Sequence, residues 1–163
     1  MQHIRKRLED ELHTLDHELR TELPREIKTA VALGDLRENA EYKAALERQS
    51  YVRLRMGQLQ QRLMELSRMN LNAIPRDSAH LGSLIKVLDL DSNKEMVYEL
   101  VIPEDTDATV GKISPASPIG KGLVGKKPGD EVTITIPSGS RTFEIISLET
   151  MHDRKSGDTT DGA

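Results

Sequence analysis

The sequence has no cysteine and no tryptophan, and only one phenylalanine, Phe143. Without cysteine there can be neither a disulfide framework nor a thiolate metal site, which suits a reducing compartment. Aromatics amount to 2 % of the residues, too few for a surface that reads nucleic acid by stacking bases. No run of roughly 18 apolar residues occurs, and the N-terminal MQHIRKRLEDEL alternates charges where a signal peptide would carry an apolar core. The expectation is a soluble, cytoplasmic protein with no membrane partner. A basic excess is missing too: with a net charge of −4, no global field draws the chain to a polyanion, so any contact with nucleic acid has to be local. Hydrophobic residues make up 36 % of the 163, and 31 % are charged. That is lean for one compact core and points to a chain with much surface.

What is present is periodic. Ile4, Leu8, Leu12, Leu15, Leu19, Leu23, Ile27 and Ala30 follow one another at three or four residues and lay a narrow stripe along a helix. Pro24 interrupts it, removing a backbone donor and crowding the preceding turn, so the spacing predicts a kink, or a restart capped by Thr21 or a neighbour. Beyond Gly34, a stricter alternation of three and four through Tyr42, Ala45, Gln49, Val52, Met56, Leu59, Leu63 and Leu66 is a heptad seam. Two narrow stripes joined by a short glycine turn bury each other by folding back, as an antiparallel helical hairpin. Each arm has about 30 residues and so measures about 45 Å. A heptad seam by itself would also accept a helix from a second copy; with both arms available to each other, a monomer is expected.

The helical pattern ends at NAIPRDSAHLG, where Pro75 and Gly82 open a polar linker. Beyond it, Leu84 to Leu90, Met96 to Ile102 and Lys112 to Ser114 read as strands, and VTITIPSGSRTFEIISLE reads as a hairpin around Pro137-Ser138-Gly139-Ser140. SPIGKGLVG is short and rich in glycine and predicts one or two helical turns. The polar end, HDRKSGDTTDGA, predicts disorder. No internal repeat is found. The fold class is α+β: a coiled-coil hairpin over 1–75, a small mainly-β domain over 76–150, and a disordered tail over 151–163.

The turn between the arms reads GDLRENAEY, residues 34 to 42. Asp35 followed three residues later by Glu38 has the form of a capping box opening the second helix. The same spacing also presents two carboxylates together at the end of a rod. Mg²⁺ is commonly held by one or two carboxylates, with waters and substrate phosphate completing the octahedron, so two acids on a probe suit a site shared with a partner and cannot hold the ion alone. GKGLVGKK, residues 120 to 127, approaches the phosphate-binding loop but places Lys127 where the metal-binding hydroxyl belongs, and reads as a glycine-permitted turn. His13 and His17 have the spacing of two zinc ligands on one helix face, without a third nearby, and read as a solvated face. From Lys43 to Arg68 the second arm carries Lys43, Arg48, Arg53, Arg55, Arg62 and Arg68 against Glu47 and Glu65. This is a solvated face or a local track for phosphates.

GDLRENAEYKAALERQ resembles the signature of the Gre (GreA/GreB) family of bacterial transcript-cleavage factors, and SPIGKGLVGKKPGDEV resembles that family's second motif. The likeness runs from the hairpin to about Leu148. It implies a GreA-like coiled coil followed by a globular domain similar to FK506-binding proteins, without prolyl isomerase activity. It also implies a partner: RNA polymerase, whose secondary channel admits the coiled coil while the globular part docks at its rim. Asp35 and Glu38 fall on the family's functional acids, which help the polymerase hold a second Mg²⁺ in its active centre; none is bound by the factor alone. The substrate is then the displaced 3′ end of nascent RNA in backtracked, arrested complexes. The factor is a transcription elongation factor that stimulates the polymerase's own endonucleolytic activity and is no enzyme by itself. Gly34, Asn39 and Tyr42 match the motif and would shape the tip, and Lys43, Arg48 and Arg53 are the candidate RNA contacts. Leu46 stands where members often carry a basic residue. In the second motif the matching residues are Ser117, Pro118, Ile119, Gly122, Leu123 and Gly125. The competing readings are a channel-binding regulator that inhibits polymerase without supporting cleavage, and a coiled-coil adaptor unrelated to transcription.

Overall fold

The computed structural model describes residues 2–157 and divides into two compact units, Met1–Met69 and Asn70–Ala163. The first is a pair of antiparallel helical arms. The outgoing arm comprises α1 (Gln2–His17), a π-turn (Glu18–Glu22) and α2 (Leu23–Ala32); the returning arm is a single helix, α3 (Ala40–Arg68). Leu59, Val52, Ala45 and Leu66 of α3 are buried at heptad intervals against Ile4, Leu8, Leu15, Leu23 and Ala30.

At Pro24 the outgoing arm does not restart with a side-chain cap; it continues through a π-turn. The dihedrals at His17, Glu22 and Leu23 stay helical, Glu22 makes no capping hydrogen bond, and the Leu23 N–H reaches back to Glu18 O across a π-turn. The cause is visible in the stripe. Leu15 and Leu23 are eight residues apart, one more than a heptad, while Leu8 to Leu15 and Leu23 to Ala30 are seven. A π-turn takes up one extra residue and returns the next layer to the seam. The same widening accommodates a residue with no N–H to give.

The second unit is a five-stranded sheet in the order β3-β2-β1-β5-β4. Its strands are β1 (Leu84–Asp89), β2 (Lys94–Leu100), β3 (Lys112–Ile113), β4 (Glu131–Ile136) and β5 (Gly139–Glu149). All neighbours are antiparallel except β2 and β3. Alternation along the strands turns Ile85, Val87, Leu100, Ile134, Phe143 and Ile145 to one face, where Leu123 of α4 (Pro118–Leu123) and Ala79 of the linker close the core. The register shift between Lys86 and Val87 leaves Ile146 as the extra residue of a bulge, 40 % exposed.

The disorder expected from residue 151 does not begin there: Met151–Gly157 form α5, while residues 158–163 lie outside the described part of the chain. The Thr150 N–H and hydroxyl both donate to Asp153 Oδ2, at 2.9 and 3.0 Å, which starts the helix. His152 Nε2 then donates to Ile74 O (2.8 Å) and Arg154 to Gly82 O (3.2 Å) and Glu99 (2.8 Å). A polar segment is held here by hydrogen bonds to the linker, which composition does not register. No helix among the described residues is long and apolar enough to cross a membrane.

Candidate functional site at the hairpin tip

Helix α2 closes with the Leu33 N–H on Ala30 O and Val31 O. Gly34 follows at φ +127 with open space where a side chain would stand, so glycine is required for its backbone and not for packing. Asp35 to Glu38 do not begin the next helix, as a capping box would require; they form an exposed turn. Asp35 Oδ1 accepts the Arg37 N–H at 2.9 Å, the local Asx geometry that competes with helix. Glu38 makes no hydrogen bond or ion pair with any described residue.

The residue that starts α3 is Asn39. Its Oδ1 accepts the Tyr42 N–H (3.1 Å) while its Nδ2 donates to Ala30 O (2.6 Å), so one side chain caps the returning arm and ties it to the outgoing one. Asn39 and the capped Tyr42 are half-buried. The motif places Asn39 among the tip-shaping residues, but the cap expected at Asp35 is in fact made by Asn39; a good cap immediately before the helix-forming AEYKAALE was the signal for it.

The donor set at the tip is two exposed carboxylates, and one or two carboxylates are the protein share of a hard-cation site whose other ligands are waters and phosphate. His13 and His17 are exposed on α1, and His17 lies 3.9 Å from Glu22.

Of the three candidate RNA contacts, Arg48 is already engaged. It grips Glu18 with two hydrogen bonds of 2.7 and 2.9 Å and lies over the Tyr51 ring, 5.1 Å from its centroid. Arg55 holds Glu11 in the same way, at 2.7 and 3.0 Å. These bidentate pairs cross between the arms. The Arg55 hydrogen bonds hold the Glu11 carboxyl below its ordinary range against the opposing effect of burial, and Arg48 does the same to Glu18. In the sequence these arginines count as surface charge, because their partners lie on the other arm. Lys43 and Arg53 are exposed and form no ion pair with a described residue.

The second motif builds α4 and its flanks. Ser117 donates to Ser114 O (2.6 Å) and accepts the Gly120 N–H (3.1 Å) as N-cap, Pro118 fills the first turn, and Ile119 and Leu123 pack on the core. Gly122 is a close approach, since a Cβ there would lie 2.7 Å from Ile134 Cγ1. The Gly125 N–H donates to Ala79 O (2.7 Å), pinning the linker. Lys127 pairs with Asp77 at 3.2 Å, and its N–H donates to Asp130 Oδ2 at 2.9 Å. The phosphate-loop likeness is thus a packed turn.

Comparison with known proteins agrees with both motifs. The family described as "Transcription elongation factor, N-terminal" matches residues 2–67, and "Transcription elongation factor, GreA/GreB, C-term" matches residues 74–150. The transcription elongation factor GreA of Clostridium kluyveri is 41 % identical over 143 residues, covering 88 % of this chain and 90 % of that one. The GreA of Chlorobaculum tepidum is 39 % identical over 143 residues, with coverages of 87 and 90 %. Among solved structures, GreA factor homolog 1 of Thermus thermophilus aligns over 89 % of this chain and 94 % of its own at 25 % identity and a TM-score of 0.41.

Proposed function

This chain belongs to the GreA/GreB family of transcription elongation factors, and we propose that it acts on bacterial RNA polymerase from the secondary channel. There it stimulates cleavage of the 3′ RNA in backtracked, arrested complexes. The observation that carries this reading is the state of the tip acids: Asp35 spends one carboxylate oxygen on its own turn, and Glu38 spends none on any described residue. Both are therefore available as ligands to a second divalent cation in the polymerase active centre. Such an ion, when bound, favours the attacking water or the leaving oxygen in phosphodiester hydrolysis. Two carboxylates hold Mg²⁺ weakly in water, so the factor has no nuclease activity alone and works in the cytoplasm as a monomeric adjunct to the polymerase. Lys43 and Arg53 are the cations left for RNA.

The test is cleavage of 3′-displaced RNA in purified stalled polymerase complexes with Mg²⁺, for wild type, Asp35→Asn and Glu38→Gln. Asparagine keeps the acceptor that the Arg37 N–H needs and removes only the charge, so the turn should persist. Both variants should bind as wild type does and lose more than the roughly 10–100-fold typical of outer-shell ligand partners. Wild type that binds without cleaving would replace this reading with an inhibitory channel regulator; wild type that does not bind would leave a coiled-coil adaptor.

A further inference from the structure

Between Gly34 and Tyr42 the tip carries three carboxylates, Asp35, Glu38 and Glu41, and a single cation, Arg37. Arg37 stands between the two acids of the site, two positions after Asp35 and one before Glu38. Its side chain is exposed and forms no hydrogen bond or ion pair with a described residue, although all three acids lie within four positions along the chain. In a continuous helix Arg37 and Glu41 would sit one above the other at i and i+4. The turn over Asp35 to Glu38 breaks that spacing, because α3 begins only at Ala40. Elsewhere in the hairpin arginines near an acid are taken up: Arg20 by Asp16, Arg48 by Glu18, Arg55 by Glu11 and Arg62 by Glu65.

The turn uses only the backbone of residue 37. The Arg37 N–H donates to Asp35 Oδ1 at 2.9 Å, a bond open to any residue except proline, which has no N–H. The guanidinium takes no part in it. The bond does tether the residue that carries the guanidinium to the first of the two acids. Such a group is always charged and presents its N–H donors in a planar fork that matches two oxygens of one phosphate.

Two electrostatic roles are open to a cation in this position, and they differ in sign. A positive charge that only damps repulsion among the carboxylates also weakens their hold on a divalent cation, and so opposes the metal site. A positive charge directed at the substrate assists it. Two bare acids repel an RNA phosphate, and hydrolysis makes that phosphate more negative: water gives up a proton, its oxygen bonds to phosphorus, and charge grows on the phosphoryl oxygens. The bond to the leaving oxygen then breaks, and that oxygen keeps the electron pair and takes up a proton. Donors aimed at oxygens where charge develops stabilise the transition state more than the ground state.

We propose that Arg37 contacts the scissile phosphate of the displaced RNA and binds its phosphoryl oxygens as charge grows on them. The inference rests on the reading of Asp35 and Glu38 as metal ligands in the polymerase active centre, and gives the third charged side chain of the turn a part in the same reaction. Lys43 and Arg53, on α3 behind the turn, are left for other phosphates of the RNA.

The test uses the full chain with purified polymerase in stalled complexes that carry a displaced RNA 3′ end. At saturating factor and Mg²⁺, Arg37→Gln should cleave about 100-fold more slowly than wild type. Arg37→Lys, which keeps the charge and loses the fork, should fall between them. The Mg²⁺ concentration giving half the maximal rate should stay the same or drop in Arg37→Gln, since the cation removed opposed the metal. Binding gives a second readout. With Ca²⁺ replacing Mg²⁺ to hold off turnover, wild type should bind less tightly when a neutral methylphosphonate replaces the scissile phosphodiester, and Arg37→Gln should lose most of that preference. Helical content and urea midpoint should match wild type, because the N–H at position 37 survives in both variants. An Arg37→Gln variant that cleaves at the wild-type rate, that slows only because it needs more Mg²⁺, or that keeps the full preference for the charged scaffold would overturn the inference and leave the proposed function standing. Equal loss of affinity on both scaffolds would do the same, by marking a contact with protein. Wild type that binds without cleaving would remove both.

Discussion

Replacing Asn39 with alanine removes two hydrogen bonds that hold the tip, and their sizes can be worked separately. The cap, Oδ1 to the Tyr42 N–H at 3.1 Å, contributes about 1 kcal/mol. The tie, Nδ2 to Ala30 O at 2.6 Å, adds about 1 kcal/mol; it sits at the low end because Ala30 O keeps the Leu33 N–H at 3.1 Å and is not left bare. Asn39→Ala should therefore destabilise by about 1.5–2 kcal/mol. Asn39→Asp keeps the cap and sets a favourable negative charge at the start of α3, but opposes a carboxylate oxygen to Ala30 O. Asn39→Ser keeps the cap and is too short for the tie. Both should lose about 1 kcal/mol, giving an order of wild type, then aspartate and serine, then alanine. Urea unfolding of the full chain, followed by far-ultraviolet circular dichroism dominated by the hairpin helices, measures this, with an unchanged denaturant slope as the two-state check. An alanine variant within about 0.3 kcal/mol of wild type, or an aspartate variant as weak as alanine, would refute the division of labour between cap and tie.

Three further outcomes follow from the geometry. Gly57 lies in the exposed interior of α3 with nothing within 4 Å of the place a methyl group would take, so Gly57→Ala should raise stability by about 0.5–1 kcal/mol in the same urea assay. Gly122→Ala should cost about 1–3 kcal/mol, because its Cβ would meet Ile134 Cγ1 at 2.7 Å and Cδ1 at 2.8 Å in a packed core; a neutral result would mean that α4 shifts freely. For pH, the folded Glu11 and Glu18 carboxyls sit below their unfolded values because Arg55 and Arg48 bond them. Their stabilisation is fully present above the ordinary glutamate range near 4.3 and is lost as pH falls through the folded values. Midpoints measured from pH 6 downward should therefore fall less steeply below about pH 5 in the Arg48→Ala, Arg55→Ala double variant than in wild type.

The heptad seam of α3 was legible in the spacing, though which helix would cover it was not; Tyr42, Gln49, Met56 and Leu63 of the same stripe are half-buried at its edge. Ala45, Val52, Leu59 and Leu66 are buried where the spacing puts them. The outgoing arm was legible only as a stripe. Its response to Pro24 depended on the extra residue between Leu15 and Leu23, and that count has meaning only against the seam of the other arm. The strands were legible from alternation, with ends moved by a residue or two: β1 stops at Asp89, whose side chain is turned into the fold, where it accepts the Asp91 and Ser92 N–H groups at 2.9 and 3.2 Å and meets Arg141 at 3.2 Å. What sequence could not show were pairings between distant residues, such as Glu18 with Arg48, Glu11 with Arg55, and His152 with Ile74. Composition near His152 suggests a tail; the helix there is started by Thr150 and Asp153 and tied down by hydrogen bonds to Ile74 and Gly82, more than seventy positions away.

The misplaced cap bears most on function. In a capping box the second residue's carboxylate turns back to the backbone N–H of the first. Had Asp35 capped the returning helix, Glu38 would have been spent on Asp35, and the tip would present a half-used pair of acids. The chain instead delegates capping to Asn39, four residues after Asp35, and lets Asp35 to Glu38 form a turn outside the helix. A neutral amide can both accept and donate, which no carboxylate can; only such a side chain can satisfy the Tyr42 N–H and the Ala30 carbonyl together. Structural work and charge are thereby assigned to different residues. Stability should follow residue 39 and activity residues 35 and 38, so a variant series that found the two moving together at any of these positions would show that the separation does not hold.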